Sequence, residues 1–529
     1  LRAAEAMATM VSLHDPDFMR GHDAARDDAF TGLGVFWEHN WTADGPVPRT
    51  VRAAWQNKVA AQIEGYVRQL HADAAGRLSS LIATQNDRKR FFVFNPLGWI
   101  RTDAADLVCT GGEDLHVHDL AAGTDVPHQF ITKSGTRHLR ILAHDLPAVG
   151  YKVYEIRPGS GDAPRDAAAT VDVRTGTIEN SRIKLVLDTV GAIASFVDKT
   201  RGDVELAATI DGLKLNSLAA GEGQGKPVEV ESTGPVSITL RCQSTSVRKH
   251  TTRVTVYRDS PRVDLANEIN ENFGDVRHWS FSFNLDSPDV HCEEVGAIIN
   301  VKKKSDGGHY ADRNARYQYA TLNHFCDIAD GLNQRGVTLS NWDCAFVRLG
   351  RSTPQALDTA TPQLHVLAGG QVDGDNLGIR SQNGGEYFLQ RFALRPHGNY
   401  DPVVAMKFAL EHQNPPVADA VTGDTDAPLA ARQASLIRVS DPGVLLWSLK
   451  PAEERIDHGV IARVWNVADS PAKAYLIFLP GVADARRVTH IETDLEPAEF
   501  QERELRTSLA RQEIQTFRLI PSEVTRTGL

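Results

Sequence analysis

A change of hydrophobic period near residue 90 constrains this chain more than any other feature. Before that point, apolar residues recur every three or four positions, which predicts amphipathic helices. The clearest run comprises Trp55, Val59, Ile63, Tyr66, Leu70, Leu78 and Ile82. From "RFFVFNPLGW" onward, apolar and polar residues alternate, and Asn-Pro-Leu-Gly supplies turn residues. The pattern predicts an α+β multidomain protein, with an N-terminal three-helix bundle followed by mainly antiparallel β-sandwich domains.

The alternating runs also predict the domain order. In "RIKLVLDTVGAIASFVDKTRGD", Ile183, Leu185 and Leu187 share one face before a turn at Gly191, as in an antiparallel hairpin. We expect a three-helix bundle over residues 1–90 and a small β domain over 91–165. A large antiparallel supersandwich over 166–425 and a C-terminal β-sandwich over 426–529 follow. The polar stretch 416–432 predicts a linker or long loop.

Composition excludes several classes of protein. A chain of 529 residues is too long for one compact core. Its 57 basic and 68 acidic side chains give a net charge of −11, which argues against a nucleic-acid partner. No apolar run is long enough to predict a membrane span.

The five cysteines are widely spaced and form no CxxC pair. Neither a disulfide scaffold nor a cysteine-based zinc site is expected from this spacing. A reducing compartment fits these cysteines better. We therefore predict a cytoplasmic protein.

The stretch "FWEHNWTADG" contains the candidate functional residues. Glu38, His39 and Asn40 stand between Trp37 and Trp41, at the end of a predicted helix. A histidine in such a setting is more often a packed, hydrogen-bonded core residue than a metal ligand. However, burying three polar groups is costly unless they serve a purpose, and tryptophan faces suit stacking on sugar rings. Both interpretations of His39 stay open on this evidence.

Several stretches, taken in order, resemble glycoside hydrolase family 38, the zinc-dependent α-mannosidases. "EHNWTADG" resembles the motif that brings a zinc-ligating histidine into the catalytic cleft, and "FFVFNPLGW" resembles the strand that opens the β region. "RFALRPHGNYDP" and "ARVWNVADSPAKA" resemble later parts of the large sandwich and of the last domain. The resemblance covers the central and C-terminal parts of the family and implies a galactose-mutarotase-like supersandwich.

The resemblance implies roles for four residues. His39 would be a zinc ligand, and Glu38 would orient its imidazole ring. Asn40 occupies a position where many members carry an acidic residue that holds sugar hydroxyls, and Trp41 would also contact the substrate. The implied reaction is retaining hydrolysis of an α-linked carbohydrate.

The family's nucleophile and its other zinc ligands lie in an N-terminal α/β domain. No αβ alternation and no His-x-Asp motif precede the helical bundle here, and the opening "LRAAEA" reads as the middle of a helix. We therefore expect the zinc site in this chain to be incomplete, and the catalytic domain to come in cis or from another chain. Whether the protein forms a homo-oligomer is left open. The alternative to a hydrolase is a non-catalytic carbohydrate-binding or structural β-sandwich protein.

Overall fold

The computed structural model describes residues 1–36, 47–85, 87–112, 114–221, 223–246, 248–370 and 384–522, apart from the side chain of Arg49. The chain divides into two compact units. The first unit comprises Leu1–Thr42, Ala54–Arg165 and Asn414–Leu529. The second unit comprises Ala43–Ala53 and Asp166–Gln413. The four domains predicted from the sequence stay a prediction at their stated bounds.

Among the described residues, three α-helices lie before residue 90, where the sequence pattern is helical, and one lies further along the chain. They are α1 Arg2–Ser12, α2 Asp23–Phe36, α3 Arg49–Leu81 and α4 Pro402–Gln413. Short 3-10 turns lie at Phe18–Gly21, Lys199–Arg201, Lys304–Asp306 and Ile456–His458. On α3, Tyr66, Leu70 and Leu78 are buried as their spacing predicts. None of the helices in this part of the chain is long and apolar enough to cross a membrane.

The strands alternate with short turns, as the sequence predicts. The first unit begins with β1 Arg90–Asn95, β2 Arg101–Val108, β3 Leu115–Asp119, β4 Thr124–Val126, β5 His128–Lys133, β6 Thr136–Leu146 and β7 Gly150–Pro158. The second unit holds β8 Thr170–Asp172, β9 Thr177–Glu179, β10 Ile183–Leu187, β11 Ile193–Asp198, β12 Val204–Glu205, β13 Glu229–Ser232, β14 Ser237–Gln243, β15 His250–Tyr257, β16 Val263–Ile269, β17 Arg277–Ser282, β18 Asp289–Glu294, β19 Ala297–Asn300, β20 Ala320–Thr321, β21 Phe325–Asp330, β22 Arg335–Asn341, β23 Phe346–Leu349, β24 Gln363–Gly369 and β25 Phe388–His397. The first unit resumes with β26 Val417–Ala420, β27 Gln433–Ser435, β28 Ile437–Val439, β29 Val444–Pro451, β30 Val460–Asn466, β31 Ala472–Phe478, β32 Val482–Val488, β33 Asp494–Pro497, β34 Glu499–Gln501, β35 Glu504–Leu509 and β36 Ile514–Pro521.

Strand β1 is buried on both faces because it lies between two hydrophobic cores of the first unit. It pairs with β7 on one side and with β26 on the other. Phe92 and Phe94 belong to the core shared with the helices and the C-terminal strands. Phe91 belongs to a smaller core with the sheet β2-β6-β5. This double burial explains why "RFFVFN" is a continuous apolar run and not an alternating one.

The C-terminal part of the first unit forms two further antiparallel sheets. Their strand orders are β28-β31-β35-β34 and β29-β30-β36-β32-β33. Helix α1 packs on β29, where the Arg2 guanidinium donates to the carbonyl of Trp447 at 2.6 Å. Helices α1, α2 and α3 therefore share one core with these strands.

The second unit is the large antiparallel sandwich that the sequence predicts. A nine-stranded sheet has the order β13-β14-β15-β16-β25-β22-β21-β18-β19, and a four-stranded sheet has the order β17-β24-β23-β20. A five-stranded sheet, β12-β11-β10-β9-β8, completes the unit. Alternate residues of all three sheets meet in one core. The prediction of a supersandwich is thereby confirmed.

Two expectations from the sequence differ from the structure. Cys292 of β18 and Cys326 of β21 are directly opposed partners and form a disulfide. The two cysteines are far apart in sequence, and only the register between β18 and β21 brings them together. The sequence spacing alone therefore does not indicate the pairing. Within the predicted linker 416–432, residues Val417–Ala420 form β26 and pair with β1. Its alternation is too short to stand out from a polar stretch.

We predict that Asn95 is essential to the Asn-Pro-Leu-Gly turn that follows β1. Its Nδ2 donates to the carbonyls of Trp99 and Pro147 at 2.8 and 3.0 Å, and its Oδ1 accepts from the Leu97 amide at 3.1 Å. Asn95→Asp replaces both donors by a charged oxygen facing carbonyl oxygens. It should lower the free energy of unfolding by roughly 2 to 4 kcal/mol, measured by urea unfolding.

The matched control is Asn57→Asp on the exposed side of α3. It should change the free energy of unfolding by no more than about 0.5 kcal/mol. Equal effects of the two substitutions would contradict the role given to Asn95.

Candidate functional site

The four residues predicted to form the site, Glu38, His39, Asn40 and Trp41, lie outside the described residues. The structure therefore leaves their roles as predictions. The helices on either side in sequence are described: α2 ends at Phe36, and α3 begins at Arg49. Three large apolar side chains of α2, Phe30, Leu33 and Val35, are 46%, 44% and 41% exposed. The helix leading to the predicted motif thus keeps an apolar surface open to solvent.

A zinc ion needs about three protein ligands. No group of three His, Cys, Asp or Glu residues that could hold a metal occurs in the described ranges. These residues alone do not fit a zinc site, and His39 has no described partner residues with which to share one. Zinc binding stays a prediction.

The structure brings together a group of polar side chains that the sequence does not mark as related. Trp279 and Phe281 of β17 enter the core of the second unit, so His278 and Ser280 lie on the opposite face of their sheet. Ser280 is paired with His365 of β24. His365 is in turn paired with Arg348 of β23. Three neighbouring strands therefore place these polar groups side by side.

Hydrogen bonds fix both imidazole rings. The Nε2 atom of His278 lies 2.7 Å from the hydroxyl of Tyr319, and the two rings stack with centroids 5.8 Å apart. The Nδ1 atom of His365 lies 2.8 Å from the hydroxyl of Ser280. These contacts hold the rings in defined orientations on the sheet face.

Both histidines are neutral at pH 7. Burial and the nearby charges of Arg348 and Arg248 lower the pKa of His278 to about 4. Burial, Arg348 and His278 lower the pKa of His365 to about 3. The Nε atom of Arg348 is buried without a hydrogen-bond partner among the described residues. The positive charge of Arg348 therefore acts on both rings, and the carboxylate of Asp211 opposes it at His365.

The serine–histidine contact does not make a nucleophile. Ser280 is only 3% exposed, so a substrate cannot reach its hydroxyl. An imidazole with a pKa near 3 is too weak a base to activate a serine at neutral pH. The cluster therefore offers neither an accessible nucleophile nor a catalytic base.

Sequence reasoning missed this cluster for an identifiable reason. His278 and His365 occupy the polar positions of "RHWSFS" and "QLHVLA", so their alternation alone marks them as facing away from the core. Their meeting depends on the pairing of β17 with β24, which no local pattern reveals.

The depressed pKa of His365 predicts a pH-dependent stability. A neutral, buried imidazole stabilises the fold above its unfolded pKa of about 6.5, and protonation removes that stability as the pH falls towards 3. We expect the urea midpoint of the wild-type chain to fall from pH 7.5 to pH 5.0 by more than that of His365→Gln. His458→Gln, which changes an exposed histidine, should behave as wild type. Identical pH profiles for all three proteins would show that His365 is protonated at no cost.

Comparison with known proteins identifies the fold. No protein-family model and no curated protein sequence matches the chain. The crystal structure of an α-mannosidase from Enterococcus faecalis V583 matches 98% of this chain and 68% of its own, with a TM-score of 0.65 and 14% identity. A glycosyl hydrolase family 38 protein from Enterococcus faecalis matches 98% of this chain and 71% of its own, with a TM-score of 0.63 and 14% identity. The resemblance predicted from the sequence is thereby confirmed for the fold: nearly the whole chain folds like part of these family 38 glycosyl hydrolases.

Proposed function

We propose that this chain forms the helical and β-sheet part of a retaining glycoside hydrolase that acts on α-linked mannosides or related α-glycosides. The observation that carries this proposal is the match of 98% of the chain to a structure described as an α-mannosidase. A shared fold supports a common origin but does not fix an activity. The substrate class therefore rests on the stretch "EHNWTADG" as well as on the fold.

The proposed contribution of this chain to the active site is the segment after α2. His39 would supply one ligand to a zinc ion, and Glu38 would hold the imidazole by a hydrogen bond. Asn40 and Trp41 would contact the sugar, through hydroxyl groups and the apolar ring face respectively. A zinc ion bound there would serve to hold and orient sugar hydroxyls.

Retaining hydrolysis needs two carboxyl groups about 5 Å apart, one as nucleophile and one as acid and base. We assign neither group to a described residue. The matches cover 68% and 71% of the two neighbouring chains, so part of each has no counterpart here. We propose that the nucleophile and the remaining zinc ligands come from residues that this sequence does not contain.

A direct assay tests the proposed activity. The purified 529-residue chain and the product of the full reading frame that contains it are each incubated with a panel of α-linked aryl glycosides, including 4-nitrophenyl α-D-mannopyranoside. We expect hydrolysis by the second protein only, with retention of configuration shown by NMR of the first product. Turnover by the 529-residue chain alone would refute the proposal that the nucleophile and the remaining zinc ligands come from residues outside this sequence. Binding of mannosides by the longer protein without turnover would favour the non-catalytic alternative.

A second experiment tests the role of His39. His39→Ala in the product of the full reading frame should lower the bound zinc, measured by mass spectrometry, and reduce turnover by at least 100-fold (roughly the cost of losing a metal-site residue). The melting temperature without added metal should stay unchanged. A lower melting temperature with unchanged zinc content would instead support the core-histidine interpretation. His138→Ala, on the β5–β6 hairpin, is the histidine control.

A further inference from the structure

A cavity of about 1050 Å³ opens in the first unit. It lies where the start of β1, the end of β7 and the loop after β2 come together, with β26 at its side. Its volume is that of a pocket for a small molecule. The histidine cluster of the second unit contributes no residue to its lining.

Three arginines near this cavity converge on one buried carboxylate. Arg88 Nη1, Arg90 Nη2 and Arg157 Nε donate to Glu155 at 2.8, 3.0 and 2.7 Å. The Glu155 side chain is only 2% exposed. Burial raises the pKa of this carboxyl, but the hydrogen bonds from the three guanidinium groups outweigh burial and hold the pKa at about 2. Glu155 is therefore ionised at neutral pH, and the group of four side chains carries two excess positive charges.

Arg157 is the best-placed of these arginines to bind a ligand. Its Nε is fixed on Glu155, whereas its two terminal nitrogens donate to no acceptor among the described residues. The side chain lines the cavity and is 28% exposed. Lys89 also lines the cavity, is exposed, and forms no ion pair with a described carboxylate. A guanidinium held at one end, with a free fork at the other, is pre-organised for an oxyanion.

The remaining lining restricts the class of ligand. Asp87, Asp114 and Asp419 line the same cavity, and carboxylates accept hydrogen bonds from hydroxyl groups. Apolar side chains, including Leu107 and Ile156, also line it. A bare inorganic anion would leave these carboxylates unused and close to its charge. A ligand with hydroxyl groups and a single anionic group matches both kinds of polar side chain.

We propose that this cavity binds a small acidic sugar, meaning a hydroxylated molecule of sugar size with one carboxylate or phosphate group. Arg157 holds the oxyanion, Lys89 adds to the attraction, and the aspartates accept hydrogen bonds from the hydroxyls. The proposal concerns the first unit alone and does not depend on the hydrolase activity proposed above.

Isothermal titration calorimetry on the intact chain at 50 mM NaCl tests the proposal with four probes. They are glucuronate, glucose 6-phosphate, glucose and inorganic phosphate. We expect glucuronate or glucose 6-phosphate to bind at least tenfold more tightly than glucose and than inorganic phosphate. Which of the two binds more tightly identifies the anionic group. Binding should weaken in 500 mM NaCl, because the attraction is between charges.

Arg157→Gln should weaken the tighter acidic sugar at least tenfold, while Arg157→Lys should recover only part of the loss because it lacks the planar fork. The control is Arg174→Gln, which changes an arginine of the second unit that is 87% exposed and paired with Asp172. It should bind as the wild type does. If Arg157→Gln does not fold, Lys89→Gln tests the proposal in its place, and it should weaken the affinity for the tighter acidic sugar at least threefold.

Three results would overturn the proposal. One is glucose binding as tightly as the tighter of the two acidic sugars, and a second is inorganic phosphate binding as tightly as that sugar. The third is the absence of millimolar affinity for both acidic sugars. An Arg157→Gln or Lys89→Gln variant that folds and binds like wild type would also place the ligand elsewhere.

Discussion

The pairing of β1 with both β7 and β26 is the constraint on which the first unit depends. It places residues that follow the helices beside residues that follow the whole second unit in sequence. Phe91 stacks on Tyr154, and Phe92 meets Tyr151 edge to face, so each face of β1 anchors a different core. Because strand register fixes which side chains face which core, a slip of one residue would exchange the two sets. One strand thereby joins the helices, the small β sheets and the C-terminal strands into a single unit.

The same strand begins with a charge arrangement that stability alone does not explain. Arg90 lies opposite Glu155 in the ladder, and both side chains are almost fully buried. A buried ion pair often contributes no more than apolar residues of the same size. Here Glu155 also accepts from Arg88 and Arg157, so cations outnumber the carboxylate they surround. The Nη1 atom of Arg90 is buried without a hydrogen-bond partner in the described ranges. The arrangement has more donors than acceptors beside an open cavity, which is what the proposed ligand site requires.

The sequence predicted those parts of the fold that depend on local periodicity. The stripe on α3 and the change from helix to strand near residue 90 follow from side-chain spacing, and so does the antiparallel character of the sheets. The disulfide between Cys292 and Cys326 could not be predicted, because it depends on the pairing of β18 with β21. The cluster of His278 and His365 escaped for the same reason. Of the candidate site, the sequence names Glu38 to Trp41 through a resemblance, and their chemistry stays a prediction. The local pattern therefore predicts the helices and strands, whereas the disulfide and the histidine cluster depend on contacts between segments that are distant in sequence.

The low identity of 14% to structures of the same fold has a physical explanation. A sandwich core needs apolar side chains of suitable total volume at alternate positions, and many sequences meet that requirement. Buried polar groups are under a different constraint, since each one costs free energy unless it finds a partner. In this chain one such group lies around Glu155 in the first unit, and another lies around Ser280 and His365 in the second. The core therefore explains why the fold persists with few shared residues. Chemistry that is particular to this chain is expected instead at its polar groups, such as those around Glu155, because an apolar core offers them no hydrogen-bond partners.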